Sequence, residues 1–240
     1  MRLINWLLLL SFLLLKAPPA HAEIGMPASL HHFFNARLLE PGSMQLSIMT
    51  NFKGGVTDSV ELGSNLLTDV MGVPNLSIKH KMFDLAKAQT SFTGHGFLIP
   101  KRGDFEANSL ISLHGIVTTH ELNPDNYFNW GLMDIMFYMS GNASNSSSLH
   151  VPTALLGSDY AFNQRFVGSL IVLQPLYILA DVKSDAVNVN LQSDMISRGY
   201  VPPVLMLSGT LAFKVYHLEF NLLNAMGEST GYINMWWRFK

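Results

Sequence analysis

Tyr232-Ile233-Asn234-Met235-Trp236-Trp237-Arg238-Phe239-Lys240 decides how the rest of the chain is read. Taken two residues at a time it splits into faces. Ile233, Met235, Trp237 and Phe239 fall on one side, and Tyr232, Asn234, Trp236 and Arg238 on the other. A period of two is the signature of a strand with one apolar and one polar face. Working back from it, the same alternation recurs. Leu218, Phe220 and Leu222 oppose Glu219 and Asn221. Leu205, Leu207, Leu211 and Phe213 oppose Ser208, Thr210 and Lys214. Val187, Val189 and Leu191 oppose Asn188, Asn190, Gln192 and Asp194.

Further upstream, residues 128–139 set Met133, Ile135, Phe137 and Met139 against Leu132, Asp134, Met136 and Tyr138. Residues 109–120 set Ile111, Leu113 and Val117 against Leu110, Ser112, His114 and Ile116. Strands are also predicted over 90–99, 76–82, 59–69 and 43–52, with residues 53–58 (Lys-Gly-Gly-Val-Thr-Asp) as a loop. Residues 149–156 and 166–179 alternate less clearly; the second stretch is apolar on both faces, and Pro175 must sit at a bulge or a break. A tight turn is expected near Tyr216-His217. The tally is about 10–12 strands, most of them near the ~9–11 residues that a membrane-crossing strand needs. The expectation is an all-β chain forming one antiparallel transmembrane β-barrel.

Composition points the same way. Charged residues are only 13% of 240 and the mean hydropathy is positive, both unusual for a water-soluble domain. No run beyond Ala22 is long enough for a membrane-spanning helix, so a soluble sandwich and a lipid-facing barrel are the two solutions left open. A net charge of −2 offers no basic field for nucleic acid. The absence of cysteine removes disulfides and thiolate metal sites.

The first 22 residues read as a cleaved signal peptide. Arg2 supplies the positive region, residues 3–15 the apolar run, and Ala20-His21-Ala22 the small residues of a cleavage site. Residues 23–42 form an N-terminal lead ending in the turn signal Glu40-Pro41-Gly42, and residues 43–240 form the barrel. Even-numbered strands would leave both termini on the periplasmic side. Aromatic residues near strand ends, among them Phe52, Phe83, Tyr127, Trp130, Tyr160, Tyr216, Trp236 and Trp237, suit the girdles of such a barrel.

An exported chain that ends in an alternating, aromatic-rich strand resembles a Gram-negative outer-membrane β-barrel. Lys240 departs from that pattern, which ends on the aromatic itself. The short stretches Leu39-Glu40-Pro41-Gly42, Gly55-Val56-Thr57-Asp58, Glu61-Leu62-Gly63 and 74–79 resemble the opening of uncharacterised, porin-like outer-membrane proteins. The resemblance implies a place in the outer membrane, contact with its lipids, and insertion by the barrel-assembly machinery through the strand bearing Ile233, Met235, Trp237 and Phe239.

If the polar faces point inward, the lumen carries Glu61, Lys79, Lys81, Asp134, Asn188, Asn190, Asp194, Lys214, Glu219 and Arg238. Such a wall serves either a passive channel for small solutes or a lumen closed by its own ion pairs. The mixed signs favour neither cations nor anions. No motif for a cofactor, a metal or a phosphate is found, and no Gly-X-Ser-X-Gly motif. Lipid-modifying barrel hydrolases use a Ser–His pair. Ser112 and His114 share a face two residues apart, and Asp134 falls on a candidate neighbouring strand. The reading is therefore a channel or small-solute transporter, with a closed interaction barrel and a lipid hydrolase as alternatives.

Overall fold

The computed structural model describes residues 33–47, 51–101, 108–140, 146–163, 165–183, 188–194, 202–213, 216–225 and 227–239, with 182–183 and 188–194 described by backbone alone. The strands are β1 (Met44–Ser47), β2 (Asn51–Thr57), β3 (Val60–Asn65), β4 (Asn75–Leu85), β5 (Ala88–Ile99), β6 (Asn108–Asn123) and β7 (Asn126–Ser140), then β8 (Ser146–Ala161), β9 (Phe166–Pro175), β10 (Tyr177–Lys183), β11 (Asn188–Asp194), β12 (Val204–Ala212), β13 (Tyr216–Ala225) and β14 (Glu228–Phe239). One short helix, α1 (Leu66–Val70), follows β3, with Asn65 as its N-cap.

Each strand from β1 to β8 pairs antiparallel with the next, and β9, β12, β13 and β14 return the sheet to β1. The result is a closed 12-strand antiparallel barrel. The fourteen labels reduce to twelve staves because two staves are interrupted. β8 pairs first with β9 (Thr153↔Pro175) and then with β10 (His150↔Leu179). The slip of one residue falls at Leu176, just past Pro175, and its N–H still donates to Pro152 O at 2.8 Å. Proline has no N–H to give the ladder, so a register slip there costs least. In the same way β11 pairs with β10 and β12 with β9. The seam between β1 and β14 is short, running from Met44↔Phe239 to Ser47↔Trp236. By contrast β7 and β8 are paired from Asn126↔Tyr160 to Ser140↔Ser146.

Local readings changed in three places. Residues 53–57, expected as a loop, belong to β2, which pairs with both β1 and β3. The strand expected over 59–69 stops at Asn65, where the Asn65 side chain accepts from Thr68 N and starts α1. Tyr216 and His217, expected in a turn, open β13 instead; Phe213 N donates to Tyr216 O, and the Phe213 and Tyr216 rings stack at 4.5 Å.

Burial is inverted relative to a water-soluble barrel. Gln45, Ser91, Thr93, Asn129, Thr153, Glu219 and Asn234 are buried on the inner wall. Leu62, Leu76, Ile116, Leu132, Leu156, Leu207, Leu222 and Ile233 are exposed on the outer one. The final strand follows its own alternation: Asn234 and Trp236 are buried inside, while Ile233 and Phe239 stand outside. The inside is not polar throughout. Along β6, β7, β8, β9 and β12, Val117, Met133, Leu155, Ile171, Leu173 and Met206 form an apolar cluster within the barrel, and Phe34 of the lead packs into it. Met44 and Met82 are exposed outside, Met133 and Met206 fill the interior, and Met139 shares the face of Met133 but is exposed near the far end of β7.

Candidate functional site: a stoppered lumen and a polar cluster on the outer wall

The lead does not skirt the barrel; residues 33–41 cross its lumen. Phe34, Asn35, Ala36 and Leu39 are all at most 4% exposed. A buried segment without a ladder must find partners for its backbone groups, and the inner wall supplies them. Ala36 N donates to Thr119 Oγ1 at 2.7 Å, and Ala36 O accepts from Ser91 Oγ at 2.5 Å and from Gln89 Nε2 at 2.6 Å. Leu39 N donates to Glu61 Oε2 at 3.0 Å. Lys79 Nζ donates to Arg37 O at 3.0 Å. The Arg37 guanidinium lies 4.1 Å from the Tyr127 ring centroid, and its Nη2 donates to the Tyr127 hydroxyl. Behind Thr119 the chain of hydrogen bonds continues through Asn129 to Asp159.

Where the lead leaves the lumen it pairs as a parallel bridge, Pro41↔Gly55. Gly42 N donates to Gly55 O, and Gly55 N to Ser43 O. A side chain at 55 would stand 2.3 Å from Glu40 O, so only glycine lets the lead lie this close to β2. Gly42 has φ +76°, which turns the chain out of the lumen and into β1.

Beyond the lead, away from the termini, the lumen keeps a cavity of about 370 Å³. Phe33, Phe52, His95, Phe97, Tyr232 and Trp236 line it, together with Lys53, Glu61 and Lys79. Glu61 and Lys79 face one another across β3 and β4. Lys53 Nζ sits 5.3 Å from the Trp236 ring centroid, and Trp236 Nε1 donates to the fully buried Glu219 at 3.1 Å.

The expected lumen residues therefore divide. Glu61, Lys79 and Glu219 lie buried on the inner wall. Lys81 faces the same way near the termini rim and pairs with Asp84 at 3.1 Å. Arg238, also inward, approaches Glu40 Oε2 at 3.9 Å. The backbone of β11 carries Asn188, Asn190 and Asp194, but their side chains lie outside the described residues, as does Lys214.

Asp134 stands on the opposite side from the one expected. Met133 is 2% exposed inside the barrel, which turns Asp134 to the outer wall. Both faces of β7 are apolar here, so alternation alone could not tell which of them was the inner one. On that wall Ser112 Oγ lies 3.1 Å from His114 Nδ1, His114 Nε2 lies 3.9 Å from Asp134 Oδ2, and His150 Nδ1 lies 2.8 Å from the same Asp134 oxygen. Cross-strand register explains the meeting, since His114 pairs with Asp134 and His150 with Met136. His150 was missed in the sequence. Its contribution depends on how β8 registers against β7, and no local pattern reveals that.

No protein-family model and no curated protein matches the chain. Among solved structures, one described as "Asymmetric conductivity of engineered proteins" aligns with 82% of this chain and 96% of its own at 8% identity. Its TM-score of 0.20 carries no argument for this protein.

Proposed function

We propose that this protein is an integral outer-membrane barrel whose lumen is closed by its own N-terminal lead. It would hold a small solute in the inner cavity rather than let solutes diffuse through. The observation that carries the closed lumen is the lead itself: residues 33–41 lie across the barrel with backbone groups bonded to Glu61, Lys79, Ser91, Gln89 and Thr119. The membrane reading is supported by the apolar outer wall, because lipid rewards the side chains that water would penalise. The chain would reach the membrane as an exported precursor, and β14 would present Ile233, Met235, Trp237 and Phe239 to the assembly machinery.

The test is conductance in a planar bilayer, after heat-modifiable gel migration has shown that the protein is folded. The intact mature chain is expected to be silent, and a variant lacking residues 23–42 to conduct. Steady conductance from the intact chain would overturn the closed-lumen reading and restore the passive channel.

A further inference from the structure

The outer wall of the barrel carries one polar constellation that its surroundings do not explain. Ser112, His114, Asp134 and His150 sit on three adjacent strands among outward Leu110, Ile116, Leu132 and Met136. An ionisable side chain on a lipid-facing surface is costly and is a functional-site hypothesis by default. Here a carboxylate and two imidazoles converge, and Asp134 keeps its second oxygen buried and without a hydrogen-bond partner.

The geometry points to a hydrolytic site for acyl esters of membrane lipids, with Ser112 as nucleophile, His114 as base and Asp134 as the residue that positions the base. The lipid substrate rests on the membrane reading above. For Nδ1 of His114 to accept the Ser112 proton across 3.1 Å, the neutral ring must carry its proton on Nε2. That nitrogen faces Asp134 Oδ2 at 3.9 Å, a gap of the kind that tightens when substrate binds. Asp134 is itself held from the other side by His150 at 2.8 Å. This is the base-and-orienter arrangement of nucleophilic catalysis, set on a β-sheet instead of a loop.

In the first half-reaction Ser112 Oγ bonds to the ester carbonyl carbon while His114 Nδ1 takes its proton. The carbon–oxygen ester bond then breaks, and the departing alcohol receives that proton from His114, leaving an acyl-serine. In the second half-reaction water adds to the acyl carbon and gives its proton to His114. The Ser112–acyl bond breaks, Ser112 Oγ recovers the proton, and a fatty acid leaves.

A second feature fits the same substrate. Across the β5–β6 register Gly96 pairs with Ser112 and Gly94 with His114. Two glycines opposite the nucleophile and the base leave a low strip on the outer wall, flanked by Leu98 and Leu110 and bounded beside Gly94 by Phe92 and Ile78. A Cβ at 96 would meet Leu110 at 3.8 Å, ordinary contact, whereas one at 94 would meet the Phe92 ring at 3.3 Å, so the strip is a shallow apolar groove. An acyl chain is the ligand suited to an apolar strip bordered by lipid. The cluster also lies nearer to Asn108 than to Asn123 along β6, which places it toward the rim away from the termini and within reach of water.

The experiment uses the mature protein folded in detergent. Phosphatidylethanolamine in mixed micelles is the substrate and a fluorophosphonate is the covalent probe, with its adduct mapped by mass spectrometry. Flotation with vesicles is measured separately. Fatty acid release and an adduct at Ser112 are expected. Ser112→Ala should abolish both, and His114→Asn should lower release by about 1,000-fold or more. Asp134→Asn should lower kcat with KM little changed, and Asp134→Glu should restore part of it. Gly96→Leu should slow phospholipid turnover while sparing a short-chain soluble ester and the adduct. Every variant is first checked for heat-modifiable migration. A folded chain that floats with vesicles yet neither releases fatty acid nor takes the probe refutes the triad alone. A chain that does not float refutes the membrane reading and, with it, a lipid substrate. Release that survives Ser112→Ala and is stopped by a chelator overturns the serine assignment in favour of a metal held by the imidazoles and Asp134.

Discussion

Replacing Leu207 with arginine asks what solvent surrounds the barrel. Leu207 is 55% exposed on β12, and its outward neighbours across the register, Leu170 and Leu222, are 45% and 49% exposed. In water an exposed substitution of this kind changes stability by no more than about 0.5 kcal/mol. In lipid the cost depends on depth. Leu207 stands about five residues above the termini end of β12, which at ~3.3 Å per residue and a tilt of ~40° is about 13 Å. That is the middle of an apolar band about 25 Å tall, where arginine costs about 2–4 kcal/mol. Leu122 is equally exposed, at 57%, but lies beside the turn at the end of β6. Arginine there should cost only about 0–1 kcal/mol. The assay is guanidinium unfolding in phosphatidylcholine vesicles, followed by tryptophan fluorescence. With an m-value of about 4 kcal/mol per molar, Leu207→Arg moves the midpoint down by roughly 0.5–1 M, and Leu122→Arg by about a quarter of that or less. Two variants with equal midpoints, both within error of the parent, would refute the lipid-facing assignment of this wall.

Three further outcomes are expected. Gly55→Ala would place a Cβ 2.3 Å from Glu40 O, so the lead must shift; limited proteolysis should then cut within residues 33–42, which the parent protects. Trp236→Phe removes one donor to Glu219, a carboxylate at 0% exposure, and should cost about 1–3 kcal/mol in the same unfolding assay. N-terminal sequencing of the protein from an exporting host should begin at Glu23, and an intact Met1 would refute the signal-peptide reading.

Much of the barrel is legible in the sequence where the two faces of a strand differ in polarity. β14 announces its sides through Asn234 and Trp236 against Ile233 and Phe239, and β13 does so through Glu219 and Asn221. Where both faces are apolar, as in β7, period two still identifies a strand but no longer says which side is inside. That is why Asp134 is expected in the lumen yet stands on the outer wall instead. The stopper was legible only as a lead ending in Pro41-Gly42. Its place in the lumen follows from partners far along the chain, Glu61, Ser91 and Thr119, that no local window can join. The outer cluster was half visible: Ser112 and His114 share a strand face, but His150 arrives by a register that the strands settle among themselves.

The short seam between β1 and β14 bears on the order in which the molecule is put together. It joins residues nearly 200 positions apart, so closing it first would carry a loop-closure penalty of roughly 5 kcal/mol against only a few ladder bonds. The hairpins from β2 to β13 must zip up before it. Until the last strand docks, the outer edges of β1 and β14 are bare rows of backbone donors and acceptors. The lead, tethered to β1 through Gly42, can be laid sideways against Gly55, Ser91 and Thr119 only while that side is still open. Once the seam closes, the lead can no longer leave sideways. Any later opening of the lumen must proceed along the barrel axis, by withdrawing the lead past Tyr127 toward the end where Gly42 joins it to β1.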